Sequence, residues 1–256
     1  MAILFQFVVR LAFGLAVALS ITSSRQVTSG FFRNHLYVTL GLCLLATLVA
    51  YQEDWILLSG TTLAAALCSY IGSVCWLYER AGAGSKVTIL VGVLTLAAAL
   101  LATAPLAEKL SGSHLPAAFV LWCLTPLSSG LVLGLTMGAM FLGHWYLNTP
   151  TMKMAPLQRL LRLMVLAIIL RGVLCGLGLW MQWGADSSVI SAGGMFIVLR
   201  WLTGIVAPLV LAWMVAKTLA IPNTQSATGI LYVAVITTFT GELTSQLLSA
   251  GAVYPL

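Results

Sequence analysis

Four ionisable residues, Arg10, Arg171, Arg200 and Glu242, stand inside long apolar runs of the sequence. A charge held in hydrocarbon costs at least about 2.5–3.5 kcal/mol on insertion scales, so each needs a partner or a purpose. Counted in from the nearer end of its run at about 1.5 Å per helical residue, each lies roughly 12–15 Å deep. The four therefore form one layer, near the membrane midplane. Two chemistries fit such a layer. In one, an Arg200–Glu242 or Arg171–Glu242 ion pair pins helices together. In the other, a polar cavity serves proton movement or ligand binding. Its three arginines exceed its one glutamate, and an anionic group, a quinone carbonyl or a lipid phosphate would offset the surplus. Arg10 is the member that snorkelling to the interface would remove first.

The surroundings of Glu242 are polar as well. Thr237, Thr238, Thr240, Thr244, Ser245 and Gln246 flank it. Positions 238, 242, 245, 246 and 249 share one face at helical spacing, and that face is expected to turn away from lipid. The histidines offer a second chemistry. His35 and His144 fall on different helices at similar depth, where two imidazoles could hold a haem b axially. Such residues are more often interface hydrogen-bonders. His114 falls in a connection and is expected to be solvated.

Other chemistries lack their machinery. Cys43, Cys68, Cys75, Cys123 and Cys175 all lie in apolar runs, with no CxxC and no Cys/His alternation. They read as small packing residues and not as metal ligands or a disulfide framework. No H-E-x-x-H, no G-x-S-x-G triad and no carboxylate pair within a span is present. The run Ala81–Lys86 (AGAGSK) lacks phosphate-loop spacing and reads as a turn.

The elements that must position these residues follow from composition. Of 256 residues, 61% are hydrophobic and 7% charged, against about 25% charged in a soluble domain. Mean hydropathy is +1.05. So few charges cannot cover a soluble surface, and the periodicity of a β-barrel is absent. The fold class is all-α, a polytopic transmembrane helix bundle forming a single domain over 1–256, with no soluble catalytic domain. Spans are expected at about 2–22, 33–51, 55–78, 87–105, 126–147, 157–181, 193–216 and 226–250. Pro126 is expected to split the long run 116–147 into a short leading segment and a true span. The first run, with Leu11–Leu19 at its centre, is expected to be a retained helix, because Arg10 interrupts it and no A-x-A site follows.

Loop charge alternates. Arg25 and Arg33, Arg80 and Lys86, Lys153, Arg159 and Arg162, and Lys217 fall in odd-numbered connections. The even-numbered ones carry Glu53 and Asp54, Lys109 beside Glu108, and Asp186. The positive-inside rule places the odd connections in the cytoplasm and both termini outside, as about eight spans require. Basic residues thus act as topology signals, and no nucleic acid is expected as a partner. Tyr51, Trp55, Trp180, Trp183 and Tyr254 would form the outer aromatic belt, and Trp76, Tyr78, Trp145, Tyr146 and Trp213 the inner one. Gly130, Gly134 and Gly138, with Ala139 and Gly143 beside them, make a small-residue ridge, as do Gly172 and Gly176. Such ridges serve close helix packing or a groove for a flat ring.

Three stretches are similar to the membrane-anchor subunits of dimethyl-sulfoxide-reductase-type complexes. They are Thr125-Pro126 leading into the glycine-rich helix, Leu199-Arg200-Trp201, and Gly241-Glu242-Leu243. The likeness covers roughly a third of the chain, and Arg200 and Glu242 carry over residue by residue. Thr244-Ser245-Gln246 stands where the family has a glycine–arginine pair. Tyr51-Gln52-Glu53-Asp54 stands in place of its histidine motif. The resemblance implies an integral anchor subunit of a respiratory redox complex in a bacterial inner membrane. It would interact with quinol, with Glu242 taking a proton and Arg200 and Arg171 orienting a quinone carbonyl or tuning the glutamate, and bind an iron–sulfur or other redox subunit. A small-molecule or ion transporter, and a structural subunit of a larger membrane assembly, are the alternatives.

Overall fold

The computed structural model of the protein describes residues 1–111, 116–149, 152–185, 188–221 and 223–256. It is all-helical among these residues, with eight helices long and apolar enough to cross a membrane. They are α1 (Ala2–Ile21), α2 (Ser29–Gln52), α3 (Ile56–Leu77), α4 (Ala81–Ser111), α5 (Pro116–Asn148) and α6 (Ala155–Ala185), followed by α7 and α8. Helix α7 runs Ser188–Trp201, loosens into a π-helical turn at Leu202–Val206 and resumes at Ala207–Ala220; α8 is Thr224–Ser249. The connections with His114 and Asp186 lie outside the described residues.

Two expectations change. Pro126 lies inside a continuous α5 and does not divide it. Proline removes one N–H from the ladder, but hydroxyls supply extra bonds to nearby carbonyls. Thr125 donates to the Leu121 carbonyl at 2.8 Å and Ser128 to that of Leu124 at 2.9 Å. The stretch Ala81–Lys86 is the first turn and a half of α4, not a turn between helices. Its glycines are a packing device. A Cβ on Gly84 would lie 2.7 Å from the Trp76 indole, so only glycine lets α4 start against that ring. The bend left between α3 and α4 is made by Glu79, which adopts φ 56°.

Helices α1–α4 pack around one another, as do α5–α8. The two groups meet where α1 lies on α5 and α8 and where α4 lies on α5. Helix α1 is the pivot, with 78% of its apolar window buried, against 28% for α7. The small-residue ridge explains its position. Cβ atoms built on Gly14 and Gly134 would come within 1.7 Å of the Gly130 carbonyl oxygen and 1.8 Å of the Gly14 carbonyl carbon. The backbones of α1 and α5 therefore touch directly. The ridge is filled by α1 and leaves no groove for a flat ring there. Gly172 and Gly176 make ordinary contacts with Ile205 and Trp201.

The largest apolar core occupies the end that bears the basic connections, around Phe31, Phe32, Leu142, Leu157 and Leu219. There Phe32 stacks on Trp76 at 4.2 Å, and the Tyr146 hydroxyl bonds the Lys153 carbonyl. Trp76 and Tyr146 are thus core residues, and so is Tyr254 at the opposite end, in contrast to the belt positions expected of them. Tyr51, Tyr78, Trp180, Trp183 and Trp213 are exposed, as a belt requires. Arg10, Arg171, Arg200 and Glu242 lie towards the opposite end, whereas His35 is buried beside this core.

Candidate functional site

The polar face of α8 is buried at all five positions, Thr238, Glu242, Ser245, Gln246 and Ser249. Glu242 is 0% exposed and is clasped by two arginines. Arg171, from the middle of α6, donates from Nε to Oε1 at 3.1 Å and from Nη2 to Oε2 at 3.0 Å. This two-point fork is the strong form of an Arg–carboxylate bond. Arg200, from α7, reaches Oε1 from Nη2 at 3.4 Å, and the same nitrogen donates to the Cys175 sulfur at 3.0 Å. Of the two ion pairs the sequence left open, the protein makes both, and the Arg171 fork is the tighter.

Local backbone features set this geometry. The π turn begins two residues after Arg200 and lies against α8. A Cβ on Gly241 would lie 2.2 Å from the Gly204 Cα, so α7 and α8 cross backbone to backbone beside Glu242. A Cβ on Gly204 would also lie 2.6 Å from Arg200 Nη1, so the glycine makes room for the guanidinium that reaches Glu242. Turns of the π type concentrate at functional sites, and composition gives no sign of them.

Arg10 belongs to the same layer but meets different company. It is 4% exposed, so it does not snorkel. Its Nε donates to Gln6 Oε1 at 3.0 Å, and Gln6 is itself fixed by Thr103 Oγ1 at 3.0 Å. Among the described residues, Arg10 Nη1 has no hydrogen-bond partner, and neither amide atom of Gln246 has one. Arg10, Gln6, Thr103 and Gln246 all line a cavity of about 460 Å³ at the end opposite the basic connections. Its wall is mainly apolar, with Trp55 and Trp122 as the aromatic elements, and Ser245 and Ser249 contribute from α8. Among the described residues, no acidic side chain lines it.

Ser245 joins the two parts. It lines the cavity and accepts from Arg171 Nη2 at 3.0 Å. Its hydroxyl bonds the Leu256 carbonyl, in a segment that folds back after α8. That segment is held by Trp122 Nε1 to the Val253 carbonyl at 2.9 Å and by the Tyr254 amide to Gln182 Oε1 at 3.0 Å. A buried donor without an acceptor costs about 1–3 kcal/mol, more when charged. Arg10 and Gln246 are thus equipped to bind an oxygen-bearing group, with the two indoles flanking it. Glu242, Arg171 and Arg200 do not line the cavity. They form an adjoining centre joined through Glu242, in which Arg200 Nε and Nη1 have no partner among the described residues.

The histidines lie apart from both. His35 Nδ1 bonds the Phe31 carbonyl at 2.6 Å, and its ring packs on Phe31 and Phe141 with centroids 4.3 and 4.4 Å apart. His144 is exposed and meets the Tyr232 hydroxyl at 3.3 Å. Ring packing and these bonds account for both. Among the described residues no cluster of three or more His, Cys, Asp or Glu is placed to hold a metal. Gln6 and Trp122 were not singled out by sequence, whereas Gln246 was expected on the buried polar face of α8 and Trp55 in the outer aromatic belt. For Gln6, an amide at i−4 from Arg10 was the only available signal. Compared with protein-family models, with curated proteins and with solved structures, the chain matches none.

Proposed function

We propose that this multi-pass membrane protein is the membrane subunit of a respiratory redox complex, and that the cavity beside Arg10 receives a quinol or quinone ring. The observation that carries the reading is the unpartnered Arg10 Nη1 and Gln246 amide, buried together in a mainly apolar cavity of about 460 Å³. Ligand sites of this size are mostly apolar with a few converging polar groups. A quinone carbonyl accepts from Arg10 Nη1, a quinol hydroxyl donates to Gln246 Oε1, and Trp55 and Trp122 offer faces to the ring. The likeness at Arg200 and Glu242 to redox anchor subunits points the same way. In this reading those two residues and Arg171 hold α6, α7 and α8 in register, and through Ser245 they fix one wall of the cavity.

The distribution of basic residues supports a bacterial cytoplasmic membrane with the cavity end outside. An iron–sulfur or other redox subunit would dock at that end, beside the acidic α2–α3 turn of Glu53 and Asp54. The test is binding of a short-chain naphthoquinone to the purified protein, read by tryptophan quenching. Arg10→Gln and Gln246→Leu are expected to weaken it. Undiminished binding in both variants would sink the reading. Substrate flux into liposomes by the protein alone would favour a transporter instead.

A further inference from the structure

The charge inside the cavity carries the ligand's description further. Arg10 is buried, yet its side-chain bond is to a neutral amide, Gln6. The carboxylate nearest in the layer, Glu242, is already shared between Arg171 and Arg200. Among the described side chains, no acidic residue lines the cavity. Among the described side chains, then, the layer holds three guanidinium groups to one carboxylate, a surplus of two, and the guanidinium that has no carboxylate partner at all, Arg10, is the one that faces the ligand. A neutral ring would satisfy the hydrogen-bond donors but leave that charge unpaired in a low-dielectric setting. A ligand oxygen carrying a negative charge satisfies both, and charge-assisted bonds to arginine are about twice as strong as neutral ones.

We infer that the Arg10 cavity selects an amphiphile whose ring bears an ionised oxygen, the enolate or phenolate of an acidic ring hydroxyl, over its neutral counterpart. The inference rests on the quinone-type reading above and deepens it. The charged oxygen would sit at Arg10 Nη1. Gln246 Nε2 would donate to a neighbouring carbonyl, and Gln246 Oε1 would accept from any remaining hydroxyl. Gln6, locked by Thr103, keeps Arg10 pointed at that position.

The test compares two probes that differ in charge and little in shape. One is 2-hydroxy-3-alkyl-1,4-naphthoquinone, ionised at pH 8, and the other its 2-methoxy analogue, neutral at any pH. Affinities of the purified full-length protein are measured in detergent by tryptophan quenching and checked by calorimetry. The hydroxy compound is expected to bind at least about tenfold more tightly, the scale of one hydrogen bond to a charged group. Arg10→Gln is expected to bring the ratio close to one while methoxy binding persists, and Arg10→Lys to keep most of the preference. Equal affinities in the unaltered protein, or a preference that survives Arg10→Gln, overturn the inference and leave the quinone reading standing. Failure of both compounds to bind overturns the two together.

Discussion

Arg171 and Arg10 are both buried guanidinium groups in one layer of the bundle, and Ser245 lies beside each. Arg171 spends its donors on Glu242 and Ser245, with a longer contact to Ser128. Arg10 has one amide and a cavity. Burial costs each of them solvation, but only the first recovers it within the chain. The contrast separates two uses of intramembrane charge. A paired cluster fixes the relation of three helices. An unpaired charge at the wall of a cavity awaits something from outside the fold.

Breaking the paired side should give the largest effect. Glu242→Gln leaves two arginines buried without a carboxylate, and loss of one partner of a buried pair costs about 3–5 kcal/mol. The thermal midpoint in detergent should fall sharply, and a midpoint equal to that of the unaltered protein would remove the distinction. Next comes Gly130→Ala. Its Cβ would lie 2.9 Å from the Arg10 carbonyl and 2.6 Å from the Phe13 ring. Forcing α1 from α5 should cost about 1–3 kcal/mol, the usual range for overpacking, and shift Arg10 in the cavity. Stability and quinone affinity should therefore drop together in this variant alone. Differential melting with and without the naphthoquinone would read both.

On the unpaired side the effects should move from stability to binding. Arg10→Gln should leave the midpoint nearly unchanged while weakening the naphthoquinone by about tenfold, the scale of a hydrogen bond from a charged group. Gln246→Leu should have the smallest effect, a few-fold loss of affinity, since a neutral hydrogen bond contributes about 0.5–1.5 kcal/mol. A stability loss in either variant comparable to that of Glu242→Gln would mean that the cavity residues are structural too.

Much of this was legible before any coordinates. Apolar length locates the eight spans, because a bilayer demands about 20 residues whatever the packing. Depth counting puts Arg10, Arg171, Arg200 and Glu242 at one level, since helical rise is nearly constant. Helical spacing predicts the buried face of α8 through Ser245, Gln246 and Ser249. What was not legible depends on adjacency between helices. Nothing in the spacing of Arg171 or Arg200 tells which will reach Glu242, and nothing marks Arg10 as the one left over. The wall contributed by Trp122 exists because α1 lies on α5 through Gly14 and Gly134, a contact that periodicity allows but does not pair. The π turn after Arg200 and the unbroken α5 at Pro126 are backbone adjustments made by neighbours. The helical start at Ala81 depends on a single ring, Trp76, across a tight bend.

The most direct measurement takes quinone affinity and thermal midpoint on the same samples of Arg10→Gln and Arg171→Gln. The expected outcome is a crossed pattern. Arg10→Gln melts close to the unaltered protein and binds about tenfold more weakly, whereas Arg171→Gln melts far earlier because Glu242 loses its fork. If Arg10→Gln binds the naphthoquinone at full strength, or if it is the variant that melts early, the division between a structural ion cluster and a ligand-facing arginine is contradicted.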